Sequence, residues 1–112
     1  MKVSAATLEP YLWGEVCRGW HLVQTEGLSV IQERVPPGRG EVRHYHERAR
    51  QFFYVLSRQA TLELGEETFV LNPLEGLEVA PQIVHQLQND GFEDLVFLVI
   101  SAPRSHGDRV VV

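Results

Sequence analysis

The chain has 112 residues, 44% hydrophobic and 22% charged, with a formal net charge of -5. That length and balance suit one soluble domain with one modest core, and the acidic excess excludes a nucleic-acid or anionic-membrane surface, both of which need a basic face. One cysteine, Cys17, excludes an internal disulfide framework and a thiolate zinc cluster, fits a reducing compartment, and is most simply a small packing residue.

Residues 1–14 lack the basic start and apolar run of a signal peptide, and the longest apolar stretch, residues 95–100, is too short to span a bilayer. A cytoplasmic location is the expectation. From there the chain reads as short β-type runs closed by turn residues, without helical period or repeat. The pattern predicts strands over 20–24 and 28–35, parted by Glu26-Gly27, and then a break at "PPGRG", 36–40. Strands over 42–46 and 51–56 follow, then 61–64, a "GEE" hairpin turn, 68–71, and a break at "NPLEG". Residues 77–80, 84–88 and 95–101 complete the set, with "NDG" before the last. So many short, closely spaced strands predict an all-β sandwich or barrel.

His44 and His46 stand two apart, so on a strand they share a face, with Cβ atoms roughly 6.5–7 Å apart. Two such imidazoles can lean together onto one ion at about 2.0–2.1 Å each. An unbroken strand would send Gln51 to the opposite face; a turn over 47–50 resets the parity and places Gln51, Phe53 and Val55 beside the histidines. His85 follows the turn-like "APQIV" and shares a face with Leu87 and Asn89. Three imidazoles and an amide oxygen make a nitrogen-rich set without thiolate. It suits one divalent transition metal, Mn, Fe, Co, Ni, Cu or Zn, rather than Ca or Mg.

These residues resemble the cupin family, small jelly-roll barrels (double-stranded β-helices) that hold a metal inside. The family's first motif runs Gly, five residues, His-x-His, three or four residues, Glu, six residues, Gly. Here Gly38, His44-Tyr45-His46, Gln51 and Arg58 keep that spacing. The second motif ends in a proline-rich turn, His, three residues, Asn, matched by Pro81, His85 and Asn89. The resemblance covers about residues 30–101 and implies a single cupin domain over 1–112, with the core barrel at about 20–101. It also implies that His44, His46 and His85 are metal ligands, that Gln51 is a fourth ligand or hydrogen-bonds behind them, and that the protein forms a homodimer. Three departures stand out. Gln51 replaces a carboxylate, Arg58 a turn glycine, and Gln82 the glycine before the third histidine. If the Arg58 turn needs positive φ, a non-glycine residue costs on the order of 1 kcal/mol there.

Phe53, Val55, Leu62, Leu64, Phe69, Leu71, Leu87 and Phe97 are expected to line the barrel. Trp13, Trp20 and Phe52 belong either to packing or to a dimer interface. Phe53, Arg43, Arg50 and His106 are the candidate substrate contacts. Arg43, Arg48 and Arg50 are either surface charge or a fork for a carboxylate or phosphate. His106 and Arg109, in "PRSHGDR", either fold over the barrel mouth or close a turn after the last strand. No catalytic residue is assigned: Gln51 cannot serve as a base, and no second carboxylate is placed near the histidines, which weakens proton-transfer chemistry more than oxygen chemistry. The expected function is a metal-dependent enzyme, dioxygenase-like or sugar isomerase-like, on a small oxygenated molecule. The alternative is a barrel that binds a sugar or organic acid without turnover.

Overall fold

A computed structural model describes residues 1–112. It contains eleven strands and no helix, so no helix is long and apolar enough to cross a membrane. In chain order they are β1 Tyr11–Trp13, β2 Cys17–Gln24, β3 Ser29–Val35, β4 His44–His46, β5 Arg50–Ser57, β6 Ala60–Leu64, β7 Glu67–Leu71, β8 Gly76–Val79, β9 His85–Gln88, β10 Leu95–Ala102 and β11 Arg109–Val111. They form two antiparallel sheets, ordered β1-β2-β3-β10-β5-β8 and β11-β4-β9-β6-β7. This is the two-sheet jelly roll expected of the strand count. The nine strands read from the pattern are present; β1 and β11 are additions. The tail is not merely a turn after β10: it ends in β11, paired with β4 as Arg109↔His46 and Val111↔His44.

Alternation does the sorting. In β5 and β10 every second side chain turns inward: Gln51, Phe53 and Val55 on one, Leu95, Phe97, Val99 and Ser101 on the other. Register aligns Ser101 with both Gln51 and Ser29, and in the second sheet Leu62 with Leu87 and His44 with His85. Phe53, Val55, Leu62, Leu87, Leu95 and Phe97 are fully buried in one apolar cluster, which also takes in Cys17. Each large side chain buried there contributes about 1.5–3 kcal/mol.

Two family glycines are absent where the backbone turns left-handed. Arg58 has φ 70° and Gln82 φ 69°, a conformation that crowds Cβ against the next carbonyl and costs roughly 1–2 kcal/mol.

Candidate metal centre

β4 sends His44 and His46 to one face, and β9 brings His85 opposite His44. The three rings are buried, and one ligand nitrogen from each lies within 4.8 Å of the others. The 47–49 break before β5 restores the parity, so Gln51 is buried beside them.

Backbone carbonyls set the ring orientations. His44 Nδ1 donates to Val42 O at 2.7 Å, and His85 Nδ1 to Ile83 O at 2.9 Å. A carbonyl only accepts, so Nδ1 carries the proton and Nε2 keeps its lone pair inward. Burial holds His44 and His46 uncharged, pushing each down to about 4, and lowers His85 as well. Neutral imidazole is the form that binds metal.

At His85 the lone pair meets another. Gln51 Oε1 sits 3.1 Å from His85 Nε2, while Gln51 Nε2 donates to Ser101 Oγ at 3.0 Å. Two acceptors facing each other need a cation between them; turned by 180°, the same amide would donate to Nε2 instead. His46 Nδ1 is buried and has no hydrogen-bond partner. An inward lone-pair cluster, an orphaned ring nitrogen and a neutral donor set together fit a divalent transition ion.

His44, His46 and Gln51 open into a cavity of about 590 Å³, with His85 fully buried behind them. Its walls include Glu33 of β3 and Glu41 of the loop before β4, with Tyr11, Trp13 and Ser29. Glu33 is buried, and its carboxylate makes no hydrogen bond or ion pair with the protein. Burial, then the nearby Glu41, raise its carboxyl well above the usual range. Glu41 Oε1 accepts from Leu87 N at 3.1 Å, and burial pushes Glu41 up to about 7. The expectation that no carboxylate stands near the histidines is thereby corrected. Glu33 carried a signal, since it alternates with Ile31 and Val35 on the inward face of β3. Glu41 carried none: Gly40 lets this loop come against β9, where any Cβ would meet Leu87 O at 2.4 Å. Gly19 is a second close approach. A Cβ there would lie 2.4 Å from the Tyr11 ring, which packs toward Glu33; burial and Glu33 raise the Tyr11 hydroxyl.

The four candidate substrate contacts divide. His106 lines the cavity, together with Arg104 and Arg109. Phe53 is fully buried in the core, its ring 5.8 Å from that of His85, and does not line the cavity. Arg43 pairs with Glu63 at 2.9 Å and Arg50 with Glu78 at 2.7 Å, both outside it. Asp108 anchors the tail: its buried carboxylate accepts from Arg48 N at 3.0 Å and Ala49 N at 2.8 Å. Although burial opposes this, those bonds hold Asp108 below its ordinary value.

The cupin domain model matches residues 31–101, more than half of the chain. The chain is 31% identical over 68 residues to the polyketide synthase CurC of Streptomyces cyaneus, covering 61% of this chain and 42% of CurC. It spans less than half the length of the curated relatives it matches. Among solved structures, a predicted oxalate decarboxylase from Thermotoga maritima superposes with a TM-score of 0.85 at 17% identity, covering 93% of this chain and 100% of that one. KdgF from a Halomonas species gives 0.85 at 18% identity, with 92% and 93% covered. At such identities the likeness is one of fold.

Proposed function

The chain belongs to the cupin family, and from that premise we propose that it is a metal-dependent enzyme that moves a proton on a small oxygenated molecule held in the cavity. The observation that carries this reading is that two histidines of the three-histidine cluster, His44 and His46, share one space of about 590 Å³ with two carboxyls, the buried Glu33 and the half-buried Glu41. Such a volume suits a monosaccharide-sized ligand. His44, His46 and His85 would hold the ion, with the Gln51 amide oxygen as a fourth donor. An ion bound there would polarise a carbonyl or hydroxyl of the ligand.

The proton chemistry belongs to the chain. Glu41, at about 7, is poised to take and return a proton near neutrality. Glu33, whose carboxyl burial raises well above its ordinary range, can donate. That pair favours isomerisation or decarboxylation over oxygen insertion, the reverse of the order expected from the motifs alone.

Gln51 favours a second reading, a binding barrel without turnover. Three imidazoles and an amide leave the full +2 on an ion, which a carboxylate would partly neutralise, so retention is weaker than in a Glu-bearing site.

Elemental analysis of tag-free protein should find a stoichiometric transition metal that His85→Ala loses. Solvent deuterium incorporation into small sugars and hydroxy acids, followed by proton NMR, should then occur and vanish in Glu41→Gln. Oxygen uptake in place of exchange would overturn the proton-transfer assignment. Ligand-induced thermal stabilisation without exchange would leave the binding barrel. A metal-free protein would remove the metal-dependent enzyme and leave at most a metal-free binding barrel.

A further inference from the structure

Six arginines are held by carboxylates: Arg34, Arg39, Arg43, Arg48, Arg50 and Arg58 pair with Asp94, Glu15, Glu63, Asp108, Glu78 and Glu93. Arg104 and Arg109 make no ion pair, and both line the cavity. Their segment is fixed at both ends. Arg104 N donates to Glu26 O at 3.1 Å, and Asp108 grips the Arg48–Ala49 backbone immediately before Arg109 enters β11. Register then sets Arg109 beside His46.

A second observation points the same way. Trp13 Nε1 and Ser29 Oγ are buried without a hydrogen-bond partner, and both residues line this cavity; Ser29 is only 5% exposed. An indole N–H can only donate, so it calls for an acceptor that the protein does not supply. Glu33 and Glu41 share the cavity with these arginines but form no ion pair with them; burial raises both carboxyls and the nearby Arg109 lowers both.

We propose that the 104–109 segment builds an oxyanion subsite at the cavity mouth, so that the ligand is a small oxygenated molecule bearing a carboxylate or phosphate. This rests on the reading that the cavity is the ligand site. Arg104 and Arg109 supply charged N–H donors, His106 stands between them in the chain and lines the same cavity, and Trp13 and Ser29 line it with donors that lack a partner in the protein. Arginine's planar fork suits both anions.

Three rings that share a hydroxylated frame test it: glucose, glucuronate and glucose 6-phosphate, titrated calorimetrically into the metal-loaded protein. At least one charged ring should bind about tenfold or more tightly than glucose, the scale of a charge-assisted pair. Which one does so separates carboxylate from phosphate. Arg104→Gln, in an exposed loop, should erase the preference, as should Arg109→Gln if β11 survives it. Arg34→Gln, already paired elsewhere, should not. Equal response to all three rings, including none, overturns the proposal, as does a preference intact in Arg104→Gln. Metal content read on the same samples keeps the two readings apart. A charged-ring preference in protein that takes up no metal when offered it sinks the metal centre and leaves the subsite. Metal that His85→Ala removes, without charge preference, does the opposite.

Discussion

Inward positions at the two ends of this barrel obey one alternation and hold opposite chemistry. On β5 the row runs Gln51, Phe53, Val55; on β10, read the other way, it runs Ser101, Val99, Phe97, Leu95. On β9, His85 is followed inward by Leu87. At the closed end the side chains interlock: Phe53 and Phe97 rings lie 6.0 Å apart, both fully buried. At the open end the buried groups are polar, and three of them, Trp13 Nε1, Ser29 Oγ and His46 Nδ1, have nothing in the protein to bond. Packing there is given up for a cavity. Stability is concentrated at one end so that unsatisfied groups can be held at the other.

The largest test of that division is truncation at matched inward positions. Phe97→Ala, in the apolar end, should destabilise by about 3–5 kcal/mol, because the hole has no water or neighbour to fill it. Gln51→Ala should destabilise by about 1 kcal/mol, the worth of its bond to Ser101, since cavity water replaces the amide. Urea denaturation of both metal-free variants measures the difference. Equal losses would mean that the open end is packed core.

The closed end was almost wholly legible in the sequence, because period-two alternation of Phe53, Val55, Leu62, Leu87 and Phe97 is a local signal. The histidine cluster was legible for the same reason, helped by motif spacing. The far wall of the cavity was not. Glu33 announced itself only as a carboxylate on an otherwise apolar strand face. Glu41 reached the cavity through a backbone approach at Gly40 that no periodicity records. β11 escaped because three residues, Arg109–Val111, are too few to show alternation, and its pairing with β4 is set by Asp108 far along the chain from its partners. The arginines next to the motif drew attention by proximity, yet side chains at Arg43 and Arg50 are spent on Glu63 and Glu78.

Glu33 sharpens the contrast by a smaller amount. It shares its register row with Phe97 and lines the cavity beside Glu41, so it is a buried carboxyl with no ion-pair partner. A carboxyl raised in the folded state destabilises as pH rises from its ordinary value, 4.5, through the folded one, because the unfolded chain ionises first. Glu33→Gln should therefore raise stability at pH 8 by about 1–3 kcal/mol, the scale of an unsatisfied buried group. At pH 4 the two proteins should be equally stable, since the carboxyl is protonated in both states. His44 and His46, lowered to about 4, act in the opposite sense: they remove stability as pH falls from 6.5 through 4. The variant should accordingly keep the acid limb of its stability profile and lose part of the alkaline one. No gain at pH 8 would show that Glu33 has a stabilising partner inside the fold.

The smallest effect concerns the two strained turns, which fall on either side of the same division. Gln82 introduces β9 and its His85, with its N–H bonded to His46 O at 2.7 Å; Arg58 closes β5 and is paired with Glu93. Gln82→Gly relieves the left-handed strain, roughly 1 kcal/mol, against a smaller entropic loss in the unfolded chain. The net gain should be about 0.5 kcal/mol, or about 2–4 °C in Tm. Arg58→Gly removes the same strain but also the pair with Glu93, an exposed contact worth about 0–1 kcal/mol, so its Tm should barely move. If Gln82→Gly instead lowered Tm while leaving metal content intact, the glutamine side chain would be holding the loop that presents His85, and the strain at φ 69° would be maintained by a contact rather than merely tolerated.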